Sequence, residues 1–215
     1  MRSRFVAVVS MLLLLAACGG TEAPATGFHE LHPDGMNGAV LPDPYQLPGA
    51  TLTDSEGGDY DLRKDTTKPI TLVFFGYTYC PDVCQVVMAN IAAAVSRLDD
   101  ADRSEVGMLL ITSDPARDDP KTLRAYLDRF NPTFEGLTGP LSTITQVAHR
   151  LGVAIEKGDK LPSGGYAVAH GTQIVGVLAD GDAPIVWTDG TSSKELADDL
   201  TKALHDGIPQ VGSTS

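Results

Sequence analysis

After about residue 44, the hydrophobic positions follow two kinds of pattern. Continuous apolar runs rich in β-branched and aromatic residues, such as Ile70 to Phe75, are typical of strands buried on both faces. Segments with apolar residues three or four positions apart are typical of helices packed on one side. The predicted strands are 70–75, 106–111, 153–156, 172–179 and 183–188. The predicted helices are 82–98, 120–130, 141–151 and 193–205.

Glycine-containing turns complete this pattern. A turn at Glu56-Gly57-Gly58 predicts a small hairpin over 46–62, and Asp180-Gly181-Asp182 predicts a second hairpin between the last two strands. Residues 157–165 are polar and contain glycine, so they are expected to form a loop. Two parallel βα units followed by a hairpin and a last helix are the thioredoxin arrangement. The prediction is therefore one α/β domain with a thioredoxin-like fold, an N-terminal hairpin and a late loop insertion.

The chain before this domain has the pattern of an exported lipoprotein. An uncharged apolar run, too short to span a membrane but of signal-peptide length, ends in Leu15-Ala16-Ala17-Cys18-Gly19, which fits a bacterial lipobox. We expect residues 1–17 to be removed and Cys18 to carry a lipid that holds the protein on the extracytoplasmic face of the cell membrane. An ordinary secretory signal is the alternative.

The remaining boundaries follow from composition. Residues 18–43 are rich in glycine, proline and alanine and are expected to form a flexible tether. The domain is placed at 44–208, with a C-terminal tail at 209–215. A length of 215 residues with 42% hydrophobic content suits one domain with a proper core.

The net charge of -12 argues against nucleic acid as a partner, since phosphate binding needs a face rich in lysine and arginine.

The candidate chemistry centres on two cysteines. If Cys18 is lipidated, Cys80 and Cys84 remain as a pair, at the junction of a buried strand and a helix. Residues four apart at a helix start share one face, and the positive end of the helix is expected to lower their thiol pKa. Two thiolates would form a soft site suited to Cu(I). On these residues alone, a structural disulfide, a redox-active pair and a metal site all stay open.

The sequence around this pair resembles the metal-site motif of the SCO/SenC family. The motif is Phe75-Gly76-Tyr77-Thr78-Tyr79-Cys80-Pro81-Asp82-Val83-Cys84. Three later segments, at 111–120, 134–139 and 166–172, are similar to that family in the same order. The resemblance covers roughly residues 43–206, which is the whole predicted domain.

This resemblance implies a copper chaperone, in a family of which some members act as thiol reductases. It implies that Cys80, Cys84 and His170 bind Cu(I) and Cu(II), and that Cys80 and Cys84 form a disulfide in the oxidised, metal-free protein. The implied role is assembly of the CuA centre of cytochrome c oxidase, with the CuA-bearing subunit as partner and another copper chaperone as a further candidate. Without the resemblance, His170 would be taken for a surface or hydrogen-bonded core residue. Relatives commonly have proline where this chain has Gln85, which affects redox tuning more than copper binding.

The same fold is compatible with other functions. A thiol–disulfide oxidoreductase that reduces the CuA-ligand cysteines is the main alternative, and a redox or copper sensor is another. A peroxiredoxin is disfavoured, because its reactive cysteine follows a threonine by three residues and Thr78 lies only two before Cys80.

Some residues outside the pair are weaker candidates. His29, His32 and Met36 in the tether could bind copper transiently, although linker composition explains them better. Arg117 and Asp118 are expected to form a local ion pair or part of a docking face.

Overall fold

The computed structural model describes residues 35–81, 83–160 and 166–210, with the backbone alone for 156–160 and 166–170. The strands are β1 Ala39–Gln46, β2 Thr51–Asp54, β3 Asp59–Asp61, β4 Ile70–Gly76, β5 Val106–Thr112, β6 Glu135–Thr138, β7 Ile155–Lys160, β8 Tyr166–His170, β9 Ile174–Leu178 and β10 Asp182–Trp187. The helices are α1 Leu62–Asp65, α2 Val83–Arg97, α3 Asp100–Glu105, α4 Pro120–Leu127, α5 Leu141–Arg150 and α6 Ser193–His205. None of these helices has the length and apolar character needed to cross a bilayer.

One mixed sheet organises the domain. Its strand order is β1-β10-β9-β4-β5-β6-β2-β3. Strands β4, β5 and β6 are parallel, β9 pairs antiparallel with β4 on its other side, and β10 pairs antiparallel with β9. The central strand β4 is buried at every position, as its continuous apolar run predicted. The predicted α/β arrangement is confirmed.

The sheet has an apolar core on each face, because successive side chains of a strand point to opposite sides. Leu72 and Phe74 pack with α2, α4 and α6 in one core, whereas Val73 and Phe75 pack with α5 in the other. The cysteine pair belongs to the first core. Val86 on α2 is 63% exposed, although it is apolar.

The folded chain begins earlier than the sequence predicted. Strand β1 pairs antiparallel with β10 at the sheet edge, and its first five residues lie in the predicted tether 18–43. Met36, also in that predicted tether, is fully buried. The tether was predicted too long because its prolines, including Pro42 and Pro44, argue against a central strand. Proline is tolerated in an edge strand such as β1. The register of β1 shifts between Val40 and Tyr45, around these prolines.

A buried carboxylate holds this N-terminal segment. Asp199 on α6 accepts hydrogen bonds from the backbone N–H groups of Asn37 and Gly38, at 2.8 to 3.0 Å. It also accepts from the Asn37 side chain at 2.8 Å and from Nε1 of Trp187 at 2.7 Å. Trp187 is therefore both fully buried and hydrogen-bonded.

Other differences concern short elements. Residues 157–160, the start of the segment predicted as a loop, belong instead to β7, which pairs antiparallel with β8 apart from the main sheet. Residues 161–165 of that segment lie outside the described residues. Helix α3 and strand β6 were not predicted, because each is too short for a periodic pattern to appear. Helix α4 ends at Leu127, three residues before the predicted end. The predicted signal peptide, Cys18, His29 and His32 lie outside the described residues.

Candidate metal centre

The two cysteines occupy the turn that joins β4 to α2. The backbone N–H of Cys80 donates to the carbonyl oxygen of Tyr77 at 3.2 Å, which closes the turn after the strand. The sulfur of Cys80 accepts from the N–H of Cys84 at 3.4 Å, one of the amides at a helix start that lack a partner within the helix. Both residues are thiols, 6% and 0% exposed respectively. The pair therefore meets on one turn, sheltered from water.

Gly76 provides room for this arrangement. A Cβ atom at this position would lie 3.4 Å from the sulfur of Cys84 and 2.8 Å from Cε1 of Phe74. Because Phe74 is fully buried, it has little freedom to move away. The last residue of β4 must consequently be small for Cys84 to pack over the strand.

Burial dominates the ionisation of Cys84. It raises the pKa of the Cys84 thiol, and the hydrogen bond with the Cys80 side chain raises this pKa further. The prediction that the helix start lowers the thiol pKa is therefore wrong for Cys84. At neutral pH this group keeps its proton, so a metal must displace that proton to bind.

The buried carboxylate of Asp118 holds the turn between β4 and α2 in place. Asp118, fully buried after β5, accepts from the Thr78 N–H at 3.0 Å and from the Thr78 hydroxyl at 2.6 Å. It also accepts from the Thr112 hydroxyl at 2.6 Å. Burial raises the pKa of Asp118, and these hydrogen bonds oppose that effect. Two parallel strand ends are thus tied together directly beside the cysteines.

Arg117 contacts the same turn from another side. It forms its ion pair with Asp114, three residues earlier, so the predicted ion pair with Asp118 is wrong. Its guanidinium carbon lies 5.8 Å from the ring centre of Tyr77 and 5.3 Å from that of Tyr79. Sequence reasoning missed this contact, since only the fold brings the end of β5 beside the end of β4.

Tyr79 makes the surface next to the pair aromatic. Its side chain is 61% exposed, although it immediately precedes the nearly buried Cys80. Gln85 is exposed on α2 next to Cys84. Met36 was predicted as a tether residue that could bind copper transiently. It is instead buried in the core.

His170 is placed by its backbone only. It ends β8 opposite Ile155, and the next residue, Gly171, donates its N–H to the carbonyl oxygen of Ala154 at 3.1 Å. The imidazole lies outside the described side chains, so its role as a ligand stays a prediction. Among the side chains that are described, no three histidine, cysteine or acidic groups come together as a metal site.

The donor atoms fit a soft metal. Two sulfurs on one turn, lined by apolar side chains and largely closed to water, are the donor set that favours Cu(I) over hard cations. The surrounding hydrogen bonds to Thr78 hold the turn, as outer contacts do in metal sites.

Comparison with known proteins gives a consistent family. The SCO1/SenC family model matches residues 49–205. A protein of Stutzerimonas stutzeri that is named for copper binding is 31% identical over 149 residues, covering 69% of this chain and 72% of that protein. The mitochondrial protein SCO2 of Saccharomyces cerevisiae is 33% identical over 124 residues, covering 53% of this chain. The chain spans only 41% of the length of that yeast protein.

Solved structures agree with this. The structure of Bradyrhizobium japonicum ScoI with copper bound is 32% identical, with a TM-score of 0.63, and the match covers 76% of this chain and 99% of that one. This likeness confirms the predicted thioredoxin-like fold.

Proposed function

The chain belongs to the SCO1/SenC family, and from that premise we propose that it is a copper chaperone that binds Cu(I) and Cu(II) through Cys80, Cys84 and His170. Its proposed task is to assist assembly of the CuA centre of cytochrome c oxidase. The observation that supports this most directly is the pair of sheltered thiols on one turn, with the Cys84 N–H 3.4 Å from the Cys80 sulfur. Cys18 is the proposed lipid anchor, on the extracytoplasmic face of the membrane.

Each ligand has a distinct part in this proposal. The thiolates of Cys80 and Cys84 supply soft donors for Cu(I), and the harder imidazole of His170 extends the site to Cu(II). Copper is the cargo of the protein. Since burial raises the pKa of Cys84, loading releases a proton from this residue, and copper affinity should increase with pH.

The surroundings suit transfer to another protein. Cys80 keeps 6% of its surface open whereas Cys84 has none, so an incoming ligand reaches Cys80 first. The exposed Tyr79 offers a partner an apolar contact directly beside that sulfur. Asp118 and Arg117 keep the turn in place while ligands exchange.

A copper titration tests this proposal. The reduced protein, titrated with Cu(I) against a chromophoric chelator, should bind one copper per chain. His170→Ala should weaken Cu(II) binding much more than Cu(I) binding, whereas His149→Ala, at an exposed position on α5, should change neither. One copper retained per chain after Cys80→Ser plus Cys84→Ser would rule the site out.

A thiol–disulfide oxidoreductase is the second candidate function. It is favoured by the closeness of the two thiols, of which Cys80 is 6% exposed and Cys84 is fully buried. The Cys80 thiolate would attack a partner disulfide and release one partner thiolate. Cys84 would then attack the mixed disulfide, so that the pair is oxidised and the partner gains two electrons and two protons. Cys84→Ser should trap the mixed disulfide on Cys80 with a CuA-bearing subunit. No trapped species and no turnover would exclude this activity.

A further inference from the structure

A cleft with basic side chains lies beside the cysteine turn. It is lined by Thr78 and Tyr79 from that turn and by Lys121, Ala125 and Arg129 from α4 and the residues that follow it, and its volume is about 480 Å³. None of the described residues that line it is acidic. The whole chain has 28 acidic residues against 16 lysines and arginines, so a cleft with two cations is a local exception in an acidic protein.

The two cations of this basic cleft have no carboxylate partner of their own. Lys121 and Arg129 are exposed, and neither forms an ion pair with another described residue. The nearby carboxylates have other partners. Asp119 accepts from a backbone N–H of α4 at 2.7 Å, and Asp128 pairs with Arg124 at 2.9 Å. The two positive charges are therefore available to an anionic group from outside.

Aromatic contacts hold Arg129 in place. Its guanidinium carbon lies 4.6 Å from the ring centre of Tyr126 and 6.0 Å from that of Phe130. Its Nε donates to the carbonyl oxygen of Tyr126 at 3.3 Å. The two terminal nitrogens make no hydrogen bond to a described residue, and a guanidinium held in this way is suited to a carboxylate.

The rest of the basic cleft suits a protein segment. Ala125 is exposed and lies four residues after Lys121 on α4, so its small side chain leaves room on the same face of the helix. Tyr79 and Val86 are the exposed large hydrophobic side chains in the described part of the chain, and they flank the cysteine pair on either side. Aromatic and charged groups together are typical of protein interfaces.

We propose that the basic cleft binds an acidic segment of the protein that exchanges copper with this chain. This inference rests on the proposed function and names the chemistry of the partner. Carboxylates of the segment pair with Lys121 and Arg129, and an apolar side chain packs against Tyr79. Because Tyr79 immediately precedes Cys80, a segment bound there lies next to the copper site. A lipid surface is a poorer match, since its recognition uses clusters of about four to eight basic residues.

Ala125→Glu tests this because it adds a carboxylate inside the basic cleft and removes no charged group. At four residues from Lys121 the new carboxylate can pair with that cation, and it would compete with the partner. Titration calorimetry with the soluble CuA-bearing domain of cytochrome c oxidase should show an affinity about 10-fold lower than that of the wild type. Arg129→Glu should have a similar effect. Arg150→Glu, an equal charge change at an exposed position of α5 on the other face of the sheet, should leave the affinity unchanged.

Equal affinities of the wild type, Ala125→Glu and Arg150→Glu for the CuA-bearing domain would overturn the inference, as would the lack of any complex with the wild type. Weaker binding of Ala125→Glu to phosphatidylglycerol vesicles, with unchanged affinity for the domain, would also overturn it in favour of a lipid site. Copper titration separates this inference from the proposed function. A wild type that bound no copper through its cysteines would remove the proposed function, whereas normal copper binding with no effect of Ala125→Glu on docking would remove the docking role alone.

Discussion

Replacing Asp118 by alanine removes the acceptor that holds the cysteine turn. The carboxylate is fully buried and receives the Thr78 N–H, the Thr78 hydroxyl and the Thr112 hydroxyl, at 2.6 to 3.0 Å. Asp118→Ala leaves these three donors without an acceptor in an interior site. The turn that carries Cys80 would then lose its tie to the end of β5.

The size of the effect follows from these contacts. A donor left unsatisfied in the interior costs about 1–3 kcal/mol. The two hydroxyls can rotate, so the lower figure applies and the three donors together cost about 3 kcal/mol. Burying a carboxylate costs solvation free energy, and this cost raises the pKa of Asp118. Asp118→Ala removes that cost. The net loss should therefore be about 2 kcal/mol in the free energy of unfolding.

Urea unfolding of the reduced, metal-free protein measures this loss. The matched control is Asp128→Ala, which removes a 53% exposed carboxylate paired with Arg124 and should cost less than about 1 kcal/mol. The loosened turn should also raise the rate at which iodoacetamide alkylates Cys80. If Asp118→Ala were as stable as Asp128→Ala, with Cys80 equally protected, Asp118 would not hold the turn.

Three further changes follow from the same structure. Because burial raises the pKa of Asp118, folding favours its protonated form, and this pH-dependent part of the stability is complete below about pH 3.9 and is lost as pH rises through the raised value. Urea unfolding of Asp118→Asn should therefore show a flatter pH profile than the wild type, and parallel profiles would contradict this. Asp199→Ala leaves the backbone N–H groups of Asn37 and Gly38 and the Trp187 indole N–H without this acceptor and should cost about 3 kcal/mol in chemical denaturation. A loss below about 1 kcal/mol would refute the role given to Asp199. Gly76→Ala forces a Cβ against Phe74 and Cys84 and should cost about 1–3 kcal/mol and weaken Cu(I) binding, whereas an unchanged affinity would show that the site tolerates the methyl group.

The central strands and long helices were predictable from the sequence because their patterns are local. Strand β4 is a continuous apolar run, and α2 and α6 have clear helical periodicity. Strand β1 was missed because an edge strand with two prolines needs only one partner, β10, which lies some 140 positions later in the chain. Such pairing leaves little trace in the sequence.

The site was predictable only in part for a related reason. The spacing of Cys80 and Cys84 and their place before a helix are visible in the motif. The contacts of Thr78 with Asp118 join residues 40 positions apart, and only the parallel pairing of β4 with β5 brings them together. The pKa of Cys84 was predicted in the wrong direction, because the sequence shows the helix start but not the depth of burial.

X-ray absorption of the copper-loaded protein tests the central claim most directly. In the Cu(I) form the account predicts two sulfur ligands together with the scattering pattern of one imidazole. His170→Ala should remove the imidazole pattern and leave both sulfurs. A wild-type spectrum with no imidazole contribution, or one unchanged by His170→Ala, would contradict the convergence of these three residues on one copper ion.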